Sequence, residues 1–417
     1  MPQVQGYEDA YFSMTWLGPK GYPENANAGR CYFTGLLGQY RFNGEQDLLF
    51  ADGTSGDGFS FRWWPKWGVP AFNGGVGAFH DIWEYTGRAL GFDPHWEEDD
   101  EGGWEGAWER LRALIDRNIP VQVGLHYSHM LPYGAKTSPR LAFLHKIMPT
   151  TGFGHHVVIA GYDLDKGTVT VFEPNDIFPH ARYEAPIEVF ERAWEEAKQR
   201  GNDGFQPWPH HKAWDGEWTL HDGYGPYLMI WLEPGRDPNW DITRSIRHSY
   251  RRNMKILAGE YPKPYSVFVS QWQIPKYESG APGMMRCAEA IRRGEVQDAL
   301  RPDGTREALF SQANIPNHGV LGRAGAAGYL RRVAAELAAR DLRSEHVDEA
   351  AERMQTSSDM FRALRYESDL AKAGDMLAHI AETEIAALRF MENGWEAVRH
   401  IDTAPVVHAV RFPQAAE

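Results

Sequence analysis

Cysteine is nearly absent from this chain. Its 417 residues contain two, Cys31 and Cys287, far apart. That excludes a disulfide framework and a CxxC pair, and it predicts a reducing cytoplasm. Long basic runs are missing too: 43 Lys and Arg stand against 57 Asp and Glu, a formal net charge of −14. A nucleic-acid binder needs a basic face to displace counterions, so no nucleic-acid partner is expected. No apolar run reaches the roughly 18 residues of a membrane span. The opening segment, MPQVQGYEDAYFSM, lacks a charged stretch leading into an apolar one, so no signal peptide is expected either.

What is present is ordinary for a globular protein with a real core: 42% hydrophobic and 24% charged residues. The length exceeds one typical domain and predicts two. Sixteen Trp are rich, and read either as a large aromatic core or as the flat walls of a pocket. The acidic balance suits a cytosolic protein and, more weakly, a cationic substrate.

Residues 1–30 are rich in Gly, Pro and Asn and read as irregular. Cys31 to Tyr40 is apolar at helical spacing, although two glycines there cost about 1 kcal/mol each. Asp52–Gly58 reads as a loop, and Gly77–Gly91 as a short helix carrying Ile82, Trp83 and Leu90. The acidic run Glu97–Glu101 reads as a solvated loop entering a helix over Trp104–Arg117, where acids suit the macrodipole. Asn118-Ile119-Pro120 breaks that helix, Val121–Leu125 is a strand, and Leu131-Pro132-Tyr133 lies in a loop. Ile187–Arg200 reads as an amphipathic helix, 202–223 as a polar and aromatic loop, and Tyr227–Leu232 as a last strand. Beyond Pro234-Gly235-Arg236-Asp237-Pro238 strand signals nearly vanish. Helical periodicity marks 242–258, 283–293, 322–340, 345–370 and 371–393, with a terminal strand over Val406–Val410.

The chemistry gathers around Gly154–Asp163. Val157, Val158 and Ile159 are β-branched and suit a buried strand that opens on His155 and stops at Gly161. Asp165-Lys166-Gly167 turns the chain into a second strand, Thr168–Phe172, which ends at Glu173-Pro174-Asn175. A histidine opening one strand and a carboxylate closing its partner can lie side by side, which is half of a nucleophilic site. Cys31, at a helix start where N–H groups and dipole favour thiolate, is the candidate for the other half. Taken singly, Cys31 reads as a small buried hydrophobe and His155 as a strand-end histidine bonding a neighbour. The order cysteine, histidine, then acid or amide is the papain-like arrangement, recognised by role and geometry.

Gly154–Asp163 resembles the GHxVVVxGYD segment of bacterial papain-like peptidases of the double-glycine leader group. More closely, the chain resembles the butirosin biosynthesis protein H-like family. It offers in order Cys31, Pro120-Val121, Leu131-Pro132-Tyr133, Gly154–Asp163 and Glu173-Pro174, then a helical C-terminal part. The resemblance implies an acyltransferase that takes an acyl group from a carrier-protein thioester and gives it to an amine. Cys31 would be the nucleophile, His155 the base and Glu173 the orienting acid, with no cofactor. Three departures stand out. Glu173 replaces the usual Asp, and Asn175 on the same strand face offers an amide instead. Asn25 stands where papain-like enzymes carry an oxyanion Gln, although backbone N–H groups can supply that bond. His156 fills a usually apolar position, on the face opposite His155, and reads as structural.

Other clusters rank below this one. His210, His211 and His221 lack a carboxylate or Cys at ligand spacing, so no metal is expected there. Arg244, Arg247, Arg251 and Arg252 share one helix and read as a solvated face or as a dock for an acidic carrier protein. The expectation is an α+β papain-like cysteine protease fold over 1–235, an N-terminal helix packed on an antiparallel sheet, followed by a mainly helical domain over 236–417. The leading function is acyl transfer from a thioester or amide donor, such as an acyl carrier protein, to an amine acceptor in antibiotic biosynthesis. A cysteine peptidase or amidohydrolase using the same residues, or a silent binding module, are the alternatives.

Overall fold

A computed structural model describes residues 2–4, 16–17, 23–24, 53–54, 56–65, 69–71, 87–89, 92–97, 102–138, 141–142, 145, 154–173, 182–199, 209–211, 218–220, 227–234, 242–260, 278–296, 310, 319–320 and 322–408. The chain clusters into two compact units. One comprises Met1–Glu45, Ala78–Gly87 and Gly91–Pro238, the other Gln46–Gly77, Arg88–Leu90 and Asn239–Glu417. The fold is α+β, with an antiparallel sheet in the first unit and helices dominating the second.

The first unit is built on a six-stranded antiparallel sheet. Its strands are β1 (Phe92–Glu97), β2 (Val121–His126), β3 (Gly154–Asp163), β4 (Thr168–Phe172), β5 (Arg182–Pro186) and β6 (Met229–Pro234), in the order β1-β6-β2-β3-β4-β5. The β-branched run at the centre of β3 is fully buried, as are Val121, Val123 and Leu125 of β2 and Val169, Val171 and Phe172 of β4. Burial on both faces is why the centre of β3 reads as a continuous apolar run, while β2 and β4 also bury the polar Gln122 and Thr170. The turn into β4 needs Gly167, whose φ is +64°.

Gly161 does not end β3. The strand runs on to Asp163 past a register shift between Ile159 and Gly161. The glycine admits a neighbouring backbone instead. Gln3 pairs with Gly161, and a Cβ there would lie 3.1 Å from the Pro2 carbonyl oxygen. Residues 2–4 thus continue the ladder beside β3 where β2 has ended.

Two long helices stand among the described residues of this unit. α1 (Gly103–Asp116) appears where periodicity placed it, and Asn118, at φ +66°, turns the chain out of it before Pro120. α2 (Ile187–Gln199) buries Phe190, Ala193 and Trp194. Trp104 meets Trp108, Phe190 and Trp194 at ring separations of 5.3, 6.0 and 6.3 Å, so part of the tryptophan excess is core. Leu131–Gly134 is a single helical turn rather than loop, with Pro132 in its first turn where the missing N–H costs nothing.

In the second unit, α3 (Ile242–Leu257), α4 (Gly280–Arg292), α5 (Gly322–Ala338), α6 (Glu345–Leu364) and α7 (Leu370–Val398) follow the sequence periodicity closely. Asp369 caps α7 by accepting from the backbone N–H of Ala371 at 2.9 Å and of Lys372 at 3.2 Å. The core joins Met284, Cys287 and Ile291 of α4 to Phe361 of α6, Leu377 and Ile380 of α7, and Phe61 and Trp63. Val406 and Val407 are exposed and outside any strand, which corrects the expected terminal strand at those positions. Among the described residues, no helix is long and apolar enough to cross a membrane.

Candidate active site

His155 enters from the second residue of β3, paired with Leu125 on one side. On the other side β3 meets β4 through Val158↔Phe172 and Ile159↔Val171. Strand alternation puts position 155 on the face of Val157 and Ile159, and the residue after Phe172 on that same face. That residue is Glu173, so the expected base and acid positions share one sheet face on adjacent strands. Its carboxylate is fully buried.

Glu173 lies against two buried phenols, Tyr127 and Tyr183. Burial is the main cause pushing the Tyr127 hydroxyl well above the usual tyrosine range, and the Glu173 charge adds to it, followed by Tyr183 and the hydrogen bond toward Glu173. Tyr183 is pushed up by burial first and then by the same carboxylate. A buried carboxyl group requires polar neighbours, and phenols are neutral ones that suit it. Sequence reading missed both. Tyr127 follows the last residue of β2, and Tyr183 sits opposite Val171 in β5, a strand the sequence did not announce. The available signal was the alternation Tyr183-Glu184-Ala185, buried, exposed, buried.

The remaining assignments divide as follows. Cys31, Asn25 and Asn175 lie outside the described residues, as do Ile82, Trp83 and His221. His156 is buried at 1% exposure, as a structural residue on the opposite face would be. His210 and His211 fall in a short strand, Pro209–His211, paired with Trp218–Leu220. The arginines of α3 do not form one surface. Arg244 and Arg251 are exposed, Arg247 pairs with Asp402 at 2.6 Å, and Arg252 is fully buried with its guanidinium donating to the Thr54 carbonyl.

Cys287 is also fully buried, in the α4 core, and burial pushes its thiol well above its ordinary range. The thiolate is the reactive form, so this sulfur is inert.

Residues 75–202 match the Peptidase_C39 like family, a span that contains His155 and Glu173 and starts after Cys31. No curated protein matches the chain. Sheet, helices and match together give an α+β fold with a papain-type domain, and the match over 75–202 supports a cysteine-peptidase type for that domain.

Proposed function

We propose that the chain is a cysteine-dependent acyltransferase, with a papain-like catalytic domain over 1–235 and a mainly helical domain over 236–417. The observation that carries the nucleophile is the state of the second cysteine. Cys287 is sealed in a helical core, so a cysteine enzyme built on this chain has Cys31 to use. His155 and Glu173, on one face of adjacent strands within the matched span, supply the base and its orienting acid.

The reaction has two steps. The Cys31 thiolate attacks the thioester carbonyl of an acyl donor, such as an acyl carrier protein. The adduct expels the donor thiolate, which takes the proton held by the His155 imidazolium, and the acyl group stays on Cys31. An amine then adds to this new thioester, His155 takes its proton, and Cys31 leaves as thiolate as the amide forms. The Glu173 charge stabilises the imidazolium in both steps. A reducing cytoplasm and a small-molecule amine from secondary metabolism fit the cysteine usage and the acidic balance. Transfer rather than hydrolysis is supported by the sequence resemblance to the butirosin biosynthesis protein H-like family.

A second reading, a peptidase or amidohydrolase with the same residues, is favoured by the match itself. The two differ in what resolves the acyl-enzyme. A transferase must favour an amine over water at about 55 M, so it holds the acceptor beside the thioester. Intact-protein mass spectrometry after mixing with an acyl thioester separates them. The acyl adduct on Cys31 should persist without acceptor and discharge when amine is added. Rapid discharge to free acid, indifferent to every amine, would establish the hydrolase.

A further inference from the structure

We propose that His126, His129 and Glu196 form a binding site for a divalent transition cation of the zinc type, separate from the cysteine chemistry. Three elements bring these residues together: His126 ends β2, His129 closes the turn Tyr127–His129 that follows, and Glu196 projects from α2. One ligand atom from each lies within 4.8 Å of the other two. His129 Nε2 stands 2.6 Å from a Glu196 carboxylate oxygen, and the two imidazole rings are tilted at a centroid distance of 5.0 Å.

The donor set suits such a cation. Two imidazoles and one carboxylate are the ligands of open tetrahedral zinc sites, where a fourth position stays with water. Metal–ligand bonds of 2.0–2.1 Å put tetrahedral ligands about 3.4 Å apart. The His129–Glu196 contact therefore opens by under about 1 Å, and the wider separations close by under about 1.5 Å, movements within the reach of side-chain torsions. His126 has a further partner of the right kind. The Ser128 hydroxyl lies 2.8 Å from its Nδ1 and 3.4 Å from Nε2, a neighbouring group of the kind that orients a ligating imidazole. Burial grades across the site: His126 is 2% exposed, while the side chains of His129 and Glu196 keep 27% and 30%. That leaves a sheltered floor and an entry path for the ion.

Beyond the His129–Glu196 ion pair and the His126–Ser128 contact, a metal would tie all three residues to one point, and it gives the site a structural task. The turn it would pin to α2 carries Tyr127, whose hydroxyl lies against Glu173. Loading the ion would stiffen the support of the candidate acid without touching the nucleophile.

The test is metal binding by the full chain, read without activity. Strip the protein with chelator, alkylate accessible thiols with iodoacetamide so that Cys31 offers no thiolate, and titrate Zn2+ by calorimetry. Add Co2+ in parallel, read by its tetrahedral visible absorption. One equivalent is expected. His129→Ala and Glu196→Gln, at partly exposed positions, should each weaken it by at least about tenfold, since outer partners alone are worth 10–100-fold. His379→Ala, on the exposed face of α7, should leave it unchanged. Circular dichroism confirms that the variants fold; should His129→Ala fail, Glu196→Gln decides. Absence of binding, binding lost on alkylation, or binding indifferent to His129 and Glu196 would each overturn the proposal and leave a simple His–Glu ion pair.

Discussion

Glu384 on α7 and Glu173 at the end of β4 are both fully buried, and their company differs. Glu384 accepts two hydrogen bonds from the Arg323 guanidinium, at 2.8 and 3.1 Å, and one from the Ser357 hydroxyl at 2.6 Å. Arg323 also donates to the Ser60 carbonyl at 2.6 Å and lies over the Phe361 ring. Glu173 lies against the phenols of Tyr127 and Tyr183. A guanidinium stays charged at every relevant pH and cancels the carboxylate field at once. The phenols are neutral and cannot cancel a carboxylate charge as a guanidinium does, and Glu173 is among the causes that raise both of them. A buried carboxylate cancelled by arginine is a packing element. In the proposed function, the carboxylate set beside phenols is the one that steadies the His155 imidazolium.

The cysteines repeat the contrast. Cys287 has the environment of a core residue, small and desolvated. Nothing in its surroundings favours thiolate, whereas the helix-start position expected for Cys31 does.

The sharpest way to break this comparison is to remove the cation from the helical unit. Arg323→Ala leaves the buried Glu384 without its cation and with the Ser357 hydroxyl as donor, at an expected cost of about 3–5 kcal/mol in a urea melt. The apolar double replacement Arg323→Met with Glu384→Leu should recover most of that, as exchanged buried pairs often do. A small loss from the single substitution would mean that water reaches Glu384 and that it is not the dry packing element described here.

The next largest effect is in the thiols. With limiting iodoacetamide on the native protein, Cys31 should be alkylated about a hundredfold faster than Cys287, because a desolvated thiol with a raised pKa supplies almost no thiolate. Peptide mapping reads the ratio. Preferential adduct at Cys287 would remove Cys31 as nucleophile. Third comes Glu173→Gln, which should keep the fold and slow acylation by roughly tenfold or more through lost stabilisation of His155. If that substitution is silent and Asn175→Ala is severe, the amide is the true partner.

How legible all this was depended on burial. β3 could be read directly because Val157–Ile159 is a continuous apolar run that faces protein on both sides, and β4 because Val169, Val171 and Phe172 are apolar and β-prone around the buried Thr170. The five long helices showed through their apolar period. β1 did not, because Asp93, Pro94 and His95 break every strand signal; it lies at the sheet edge, where proline is tolerated, and His95 stacks on Trp231 of β6 at 5.1 Å. β5 was too short and too polar to announce itself, and with it went Tyr183. The strand-end position of His155 was written in the chain. The phenols behind Glu173 depend on which strands become neighbours, and a local pattern does not contain that.

The smallest expected effect concerns the phenols and tests whether Glu173 carries its charge. Tyr127 and Tyr183 in the sheet unit, and Tyr250 in the helical one, are all raised above the ordinary tyrosine value, with burial as first cause. A phenol raised in the folded state stays neutral there while the unfolded chain begins to lose its proton near pH 10. The stability it contributes is therefore complete below about pH 10 and is lost as pH rises from there through the folded-state value. For Tyr250 the second cause is Tyr329, a group of its own kind, but for Tyr127 and Tyr183 it is Glu173. Removing that charge should let the two phenols ionise earlier in the folded state. Glu173→Gln should thus make the fall of stability above pH 10 shallower, and Glu384→Gln should not alter the part due to these phenols. Tyr183→Phe deletes one of the titrating groups outright; at neutral pH it should cost only about 1 kcal/mol, the net worth of one hydrogen bond. Urea midpoints at neutral and alkaline pH, with phenolate formation followed by its ultraviolet absorbance, measure each slope. An alkaline slope unchanged in Glu173→Gln would show that Glu173 is already protonated or compensated, and an acid without charge has nothing to give an imidazolium.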